Sequence, residues 1–497
     1  MRSRWARCAS AWSGPAVADP LASGVRPGLR PRLRPRLRPR ELGLLALVGL
    51  ALLVGWVSLA SQRAGRLTLA DPDLILGYLL LLLLAHALFV LAGRAIDEIL
   101  LPTVGLLGGL SLLFMARLPQ DLAGQTVGPF QLGLAGLQFL WLALSLALLV
   151  LVAVVVRSDT WLRYYKYTWA AAGLALLLLV FAFGEDTNGA RLFLRLGPLS
   201  GQPSELLKII LVVFLAGYLA DNRTLLAQAS TRLGPFRLPP LPYLLPMGAL
   251  WGLALAIVIF QRDLGAALLF FGVFLALLYI ATQRAAYVIL GALLFVAGSA
   301  VLYHLVPTVQ TRIDIWIDPW ATAQSTGYQI VRALYAFGRG GILGTGLGAG
   351  LPGVAGVAAI PAIQTDFVFA GLAEELGLAG ALAILLLYLV IAERGLRIAA
   401  AARDEFRALL VAGLTFSMTI QAAIIMAGNA KLVPLTGITL PFVSYGGSSL
   451  VANGIIVGLL LAFSDHEPVV PAPLGSRRDR AVARARAAAG RVERAIS

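Results

Sequence analysis

The run Thr365-Asp366-Phe367-Val368-Phe369-Ala370, followed by Glu374-Glu375-Leu376-Gly377, places carboxylates where a Gly-rich polar stretch meets an apolar helix. An ionised group at a membrane border is a functional candidate by default, because holding a charge there is expensive. Asp366 has two compatible readings. It can take a proton as a general base, its proton affinity raised by partial desolvation, or it can cap the helix that begins near Phe367.

Further polar groups stand where hydrocarbon is expected. Between two apolar runs lies Asn188-Gly189-Ala190-Arg191-Leu192-Phe193-Leu194-Arg195, continuing to Gln202-Pro203-Ser204-Glu205-Leu206-Leu207-Lys208. If this stretch is helical, Arg191 and Arg195 share a face suited to phosphate oxygens. Ser204 after a proline, with Glu205 in the first turn, marks a helix start. Glu205 and Lys208 then enter the membrane on one face as an ion pair, either pinning the helix or also handling a charged lipid headgroup. In the turn Gln261-Arg262-Asp263-Leu264-Gly265, Asp263 caps the next helix or pairs with a cation near the headgroups.

A stretch between apolar runs carries Arg312, Trp316 and Trp320, then Gly327-Tyr328-Gln329, then the glycines of Gly338 to Gly348. These glycines fit a generic GxGxxG pattern, but no strand precedes them and a dinucleotide fold is not indicated. They let backbone approach a ligand or a neighbouring helix closely, and the tryptophans suit a membrane interface. The segment Val433-Pro434-Leu435-Thr436-Gly437 through Ser444-Tyr445-Gly446-Gly447 is irregular backbone at membrane depth, tolerated where it is buried in protein or lines a wet cavity.

The elements that must position these groups follow from composition. The chain has 497 residues, 59% hydrophobic and 13% charged, with a mean hydropathy of +0.84. It reads as an all-α polytopic membrane protein. Apolar runs fall at 42–60, 74–93, 101–117, 132–156, 165–184, 204–221, 241–260, 264–282, 285–305, 369–393, 406–428 and 447–464, which makes about twelve transmembrane helices. With the first 41 residues inside, alternate loops and both tails hold roughly 29 of the 40 Lys and Arg residues. Both termini are then cytoplasmic and Asp366 is extracytoplasmic. The net charge of +15 reports topology and contact with anionic membrane lipids, not a nucleic-acid surface.

The division expected is a basic, disordered tail at 1–41, two helices at 42–96, a membrane core at 97–464 with a long extracytoplasmic loop at 306–366, and a basic tail at 465–497. The long apolar run after the first tail argues for a retained helix and against a cleaved signal peptide. Cys8 is the single cysteine, so no internal disulfide or cysteine metal site can form. The three histidines, His86, His304 and His466, have no zinc spacing, and His86 reads as a packed contact between helices.

Taken together, the strings NGARLFLRLGPLSGQPSELLK, QRDLG, GYQ with GGILGTGLG, TDFVFAGLAEELG and PLTGITLPFVSYGGSS resemble the SEDS family of peptidoglycan glycosyltransferases, the family of RodA and FtsW. The resemblance runs from about Asp97 to Asp465 and implies a ten-helix core, to which the first two helices are a RodA-like addition. It implies polymerisation of lipid II into glycan strands on the outer face of the bacterial cytoplasmic membrane, for elongation or division, beside a class B penicillin-binding protein as transpeptidase. It matches Asp366 to the family's essential aspartate, Glu205 to the glutamate of its QPSE motif and Lys208 to the lysine three residues on. The chain departs from the family pattern at Leu192-Phe193, where many members have arginine-tryptophan, and at Arg262, where proline is common.

That chemistry asks a sugar 4-hydroxyl to displace undecaprenyl pyrophosphate from an anomeric carbon with inversion. Asp366 is the expected base. Arg191, Arg195, Lys208 and Arg312 are candidates to neutralise the leaving group, with Glu205, Asp263, Thr365 and Ser444 as further substrate contacts. The sequence fixes no cofactor, and a divalent cation, magnesium or manganese, could share the neutralisation. A lipid II flippase or transporter is the alternative, but it needs polar groups through both leaflets, whereas here they cluster on one side. A pure scaffold would leave the TDF motif unexplained.

Overall fold

With no water to satisfy peptide groups in a bilayer, apolar runs of this length must close their hydrogen bonds internally as helices. The computed structural model describes residues 37–64, 72–123, 125–127, 130–187, 190–196, 199–227, 231–233, 236–238, 252, 263–351 and 360–465. Among these residues fourteen helices follow in order: α1 (Pro39–Ala64), α2 (Asp73–Ala92), α3 (Leu100–Arg117), α4 (Leu134–Val155), the short α5 (Thr160–Tyr164), α6 (Lys166–Phe183), α7 (Ser204–Ala227), α8 (Leu264–Thr282), α9 (Ala285–Leu305), α10 (Pro307–Ile317), α11 (Tyr328–Gly340), α12 (Val368–Ala400), α13 (Glu405–Asn429) and α14 (Gly447–Phe463).

Among the described residues, nine helices are long and apolar enough to cross a membrane: α1, α2, α3, α4, α6, α8, α9, α12 and α13. To these, α7, which carries Glu205 and Lys208 in its first turns, and the shorter apolar α14 add two more helices of the bundle. The expected helix at 241–260, apart from Gly252, and most of both basic tails lie outside the described residues. Short antiparallel hairpins lie between helices: β1 (Gln125–Val127) with β2 (Phe130–Leu132), the ribbon of β3 (Glu185–Thr187), β4 (Ala190–Leu196) and β5 (Leu199–Gly201), and β6 (Thr231–Leu233) with β7 (Phe236–Leu238). The Arg191 to Arg195 stretch is therefore strand β4 and not helix, so the helical argument for a shared arginine face lapses.

The N-terminal pair packs α1 on α3 and α2 on α4, with the Tyr78 hydroxyl donating to the Gly105 carbonyl at 3.0 Å. One end of the bundle gathers charge. Arg38 pairs with Glu41 at 2.5 Å and donates to the Asp97 carbonyl at 2.8 Å. Arg394 pairs with Asp97, and Arg94 with Asp465 at 2.9 Å. His86 is a contact between helices as expected, with Nδ1 in a hydrogen bond to the Glu41 carboxyl at 2.6 Å. Asp366 stands before the start of α12, the opposite end from Arg394.

The stretch at 306–366 is less irregular than its glycines suggested. It holds α10, a 3-10 turn at Trp320–Thr322, and α11, which lies along α12. The glycines after α11 serve a neighbouring helix. At Gly377 (φ 70, ψ −170) the α12 backbone breaks, roughly 15 Å along from its start at 1.5 Å per residue. The Gly-rich segment re-satisfies the freed groups. Thr345 and Gly346 N–H donate to the Glu374 and Glu375 carbonyls at 3.0 Å, and Leu378 and Ala379 N–H donate to Gly341 and Ile342 at 2.9 and 3.0 Å. A Cβ on Gly344 would meet the Glu375 carbonyl oxygen at 2.2 Å, and one on Gly377 would meet the Gly344 nitrogen at 2.2 Å. The adjacent carboxylates hold the same joint: Glu375 accepts from Arg117 at 3.2 Å and Glu374 from the Leu351 N–H at 2.8 Å.

Candidate active site

Asp366 closes a turn built on one strained residue. Ala362 has φ 54, and its carbonyl accepts the N–H groups of Thr365, Asp366 and Phe367 at 3.1, 2.9 and 3.4 Å and the Thr365 hydroxyl at 3.2 Å. Non-glycine residues with such dihedrals concentrate at functional sites. The turn is fixed to the 434–446 segment. Ser444 donates to the Thr365 carbonyl at 2.5 Å, and the Tyr445 N–H donates to Gln364 at 2.7 Å.

The N-terminus of α12 is capped from elsewhere. Asn429, the last residue of α13, accepts from the Ala370 N–H at 3.2 Å and donates to the Asp366 carbonyl at 2.8 Å. Capping thus falls to Asn429, and the Asp366 carboxylate is left facing a cavity of about 190 Å³ with Arg312, Trp316, Gln329, Lys431 and Gly437. A second, more open cavity of about 540 Å³ adjoins it and shares Arg312 and Gln329. The Arg312 guanidinium donates to the Thr436 carbonyl at 3.0 Å and forms no ion pair within 4.0 Å with any described carboxylate.

Desolvation pushes the Asp366 carboxyl up to about 6, against the opposing pull of the Thr365 hydroxyl and the Arg312 charge. A carboxyl there is mostly ionised at neutral pH yet binds a proton far more readily than an exposed aspartate. Burial also disfavours the Arg312 charge, which Asp263 and Asp366 counteract. The guanidinium remains a cation.

Beside this cavity lies a closed polar knot. The Lys208 ammonium donates to Glu205 at 2.7 Å, Gln421 at 2.9 Å and Asn453 at 3.0 Å, using all three of its donors. Glu205 also accepts from Gln421 at 3.3 Å and Thr439 at 3.2 Å. Asp263 caps α8 by accepting from the Ala266 N–H at 3.0 Å and receives Gln202 at 3.4 Å. Burial raises its proton affinity, with the Ala266 N–H opposing. The space among these groups is about 10 Å³, at the lower limit for one water.

The structure therefore brings Asp366 and Arg312 into one cavity. Thr365 lies in the turn that carries Asp366, Ser444 in the segment bonded to that turn, and Glu205, Lys208 and Asp263 in the knot, which reaches the cavity-lining segment through Thr439. The backbone of Arg191 and Arg195 lies in β4; their side chains are outside the described part. Asp366 is the one described carboxylate lining the cavity, and no three described His, Cys, Asp or Glu residues come together to hold a metal. That donor set does not build a resident metal centre.

The FtsW, RodA and SpoVE family, described as cell cycle proteins, matches residues 98–468. This chain belongs to it. A Mycobacterium bovis protein named peptidoglycan glycosyltransferase RodA is 41% identical over 371 residues, covering 74% of this chain and 78% of the relative. Among solved structures, a chain from work titled "Structural coordination of polymerization and crosslinking by a peptidoglycan synthase complex" superposes with a TM-score of 0.60 at 27% identity, covering 74% of this chain and 98% of that one. The Thermus thermophilus rod shape determining protein RodA superposes with a TM-score of 0.52 at 27% identity, covering 74% and 97%. The N-terminal pair α1 and α2 precedes the FtsW/RodA/SpoVE match. Within the family region, sequence reasoning missed Asn429 and Lys431 at the site and Gln421, Thr439 and Asn453 in the knot. The signal available was Asn429-Ala430-Lys431, polar residues ending an apolar helix at the border where Asp366 begins one.

Proposed function

We propose that this membrane protein is a peptidoglycan glycosyltransferase that polymerises lipid II, with Asp366 as general base. The observation that supports it most is the half-buried Asp366 carboxylate, its proton affinity raised, sharing a cavity with an Arg312 that forms no ion pair within 4.0 Å with any described carboxylate. A base and a cation on one cavity are what an inverting displacement needs. The acceptor 4-hydroxyl oxygen bonds to the anomeric carbon of the donor as the bond from that carbon to the pyrophosphate oxygen breaks. The hydroxyl proton passes to Asp366, and the departing pyrophosphate gathers negative charge beside Arg312. The adjoining cavity, which shares Arg312 as a lining residue, offers room for a second sugar.

In this reading the Asp366 end of the bundle is extracytoplasmic and the Arg94, Arg394 and Asp465 end cytoplasmic, which the charge distribution supports. Residues 97–464 form the catalytic core, and α1 and α2 an addition to it. The resemblance to a chain of a peptidoglycan synthase complex supports a class B penicillin-binding protein as partner. Glu205 and Lys208 act by holding Thr439, and through it the segment that contributes Val433, Leu435 and Gly437 to the cavity lining. Arg191 and Arg195 are further candidates for the lipid-linked pyrophosphate.

The test is gel-resolved polymerisation of labelled lipid II by the purified protein with its cognate transpeptidase, wild type against Asp366→Asn. Polymer from wild type alone, with the variant folded and partner-bound, supports the assignment. Equal polymer from both removes Asp366 from the chemistry. No polymer from either, alongside detectable lipid flipping, favours transport.

A further inference from the structure

The end of α13 holds a side chain where glycine is the favoured residue. The Leu432 N–H donates back to Ala427 at 2.8 Å and the Lys431 N–H to Gly428 at 3.1 Å, the paired bonds of a Schellman turn. Its left-handed position is filled by Lys431, at φ 58. A Cβ there crowds the following carbonyl, and glycine occupies this position by preference because it has none. Lys431 thus sits where its own backbone is strained.

Its side chain is only lightly engaged. The ammonium donates to the Ile317 carbonyl at 3.3 Å, and its backbone carbonyl accepts the Trp316 indole at 3.2 Å. No described carboxylate pairs with it, and it lines the Asp366 cavity together with Arg312. The plain alternative is that Lys431 caps the last carbonyls of α10, as cations do at helix C-termini. One such bond uses one of three ammonium donors and leaves a charge facing the cavity. Two cations without carboxylate partners outnumber the single carboxylate, so the cavity suits an anionic ligand, and the more so once Asp366 holds a proton.

We infer that Lys431 is a second cation of the donor site, holding the pyrophosphate of a lipid-linked sugar together with Arg312. This rests on the cavity being the polymerase site proposed above. Arg312 is anchored by Thr436 and fixed in direction, while the flexible lysine follows the phosphates as the bond to the sugar lengthens. The strained turn is retained because a glycine there would remove that charge.

The experiment compares wild type with Lys431→Gly, Lys431→Gln and Lys431→Arg in nanodiscs, reading thermal stability, binding of undecaprenyl pyrophosphate and of undecaprenyl monophosphate, and lipid II polymerisation. Expected is at least tenfold weaker pyrophosphate-lipid binding in the glycine and glutamine variants, a smaller change for the monophosphate, and recovery in the arginine variant. The glycine variant should melt at the same temperature or higher, since it relieves the backbone. Unchanged pyrophosphate-lipid binding in Lys431→Gly, with wild type binding and polymerising normally, overturns the inference alone. A lower melting temperature in that variant with equal losses for both lipids makes Lys431 a helix cap and also overturns it. Absence of pyrophosphate-lipid binding by wild type sinks the inference and the reading of the cavity together.

Discussion

The Asn429 side-chain amide donates to the Asp366 carbonyl at 2.8 Å while its oxygen receives the Ala370 N–H at 3.2 Å. One side chain thus ties the end of α13 to the start of α12 and fixes the peptide that carries the carboxylate. Asn429→Ala leaves a buried carbonyl and a helix N–H unpartnered, which costs about 1–3 kcal/mol. It also frees the Asp366 turn, so the rate of polymerisation should fall at least tenfold while partner binding persists. Asn429→Asp keeps the acceptor and loses the donor, and should lie between the two. Thermal melts alongside initial rates check both, and a full-rate Asn429→Ala enzyme would show that the bridge does not position the base.

Activity should follow the ionisation of Asp366. A base must be deprotonated, so the rate rises with pH and reaches half its plateau near the carboxyl's value of about 6. A profile flat from pH 5 to 8, with the protein folded throughout, would count against Asp366 as the base.

Stability should change with pH in the opposite sense at this residue. The folded site binds its proton more tightly than the unfolded chain, from an ordinary value of 3.8 to about 6. Across that window the folded state holds more proton, so its stability falls as pH rises, and the whole penalty is present above about pH 6. Asp366→Asn lacks this penalty. It should be inactive yet more stable than wild type at pH 7.5 by about 1 kcal/mol, allowing for the solvent that reaches this half-buried group, and no more stable at pH 4.

The Glu205 and Lys208 pair should behave as a coupled unit. Lys208→Met leaves a buried carboxylate without its cation and should destabilise by about 3 kcal/mol or more, whereas Lys208→Met with Glu205→Gln should recover much of that. Activity should track stability in this series, because the pair braces Thr439 and lies outside the Asp366 cavity. A stable double variant with abolished lipid binding would instead assign the pair a direct role.

Much of the bundle was legible because hydrocarbon forces helices: the runs at 264–282 and 285–305 coincide with α8 and α9. Asp366 stood out for the same reason, as a charge where none is free to stay. Other features depended on contacts between distant segments. Nothing near Asp366 in sequence says that Asn429 relieves it of capping, 63 residues away. The glycines after α11 were readable as a close approach, but the broken span they approach was not, because a glycine after Glu374-Glu375-Leu376 fits a continuous helix as readily as a break. The Arg191 stretch misled because two arginines four apart suit a helix, whereas its pairing with β3 and β5 makes it a strand.

The break in α12 ties two segments far apart in the chain into one cooperative unit. The amides of Thr345, Gly346, Leu378 and Ala379 are each held by a carbonyl on the opposite segment. Opening any one of them strands a carbonyl of the opposite segment. Their hydrogens should therefore exchange with solvent deuterium together, at a rate set by separation of the whole joint, and not in sequence order as at a fraying helix end. Even a single alanine at Gly377 should bring all four into fast exchange at once.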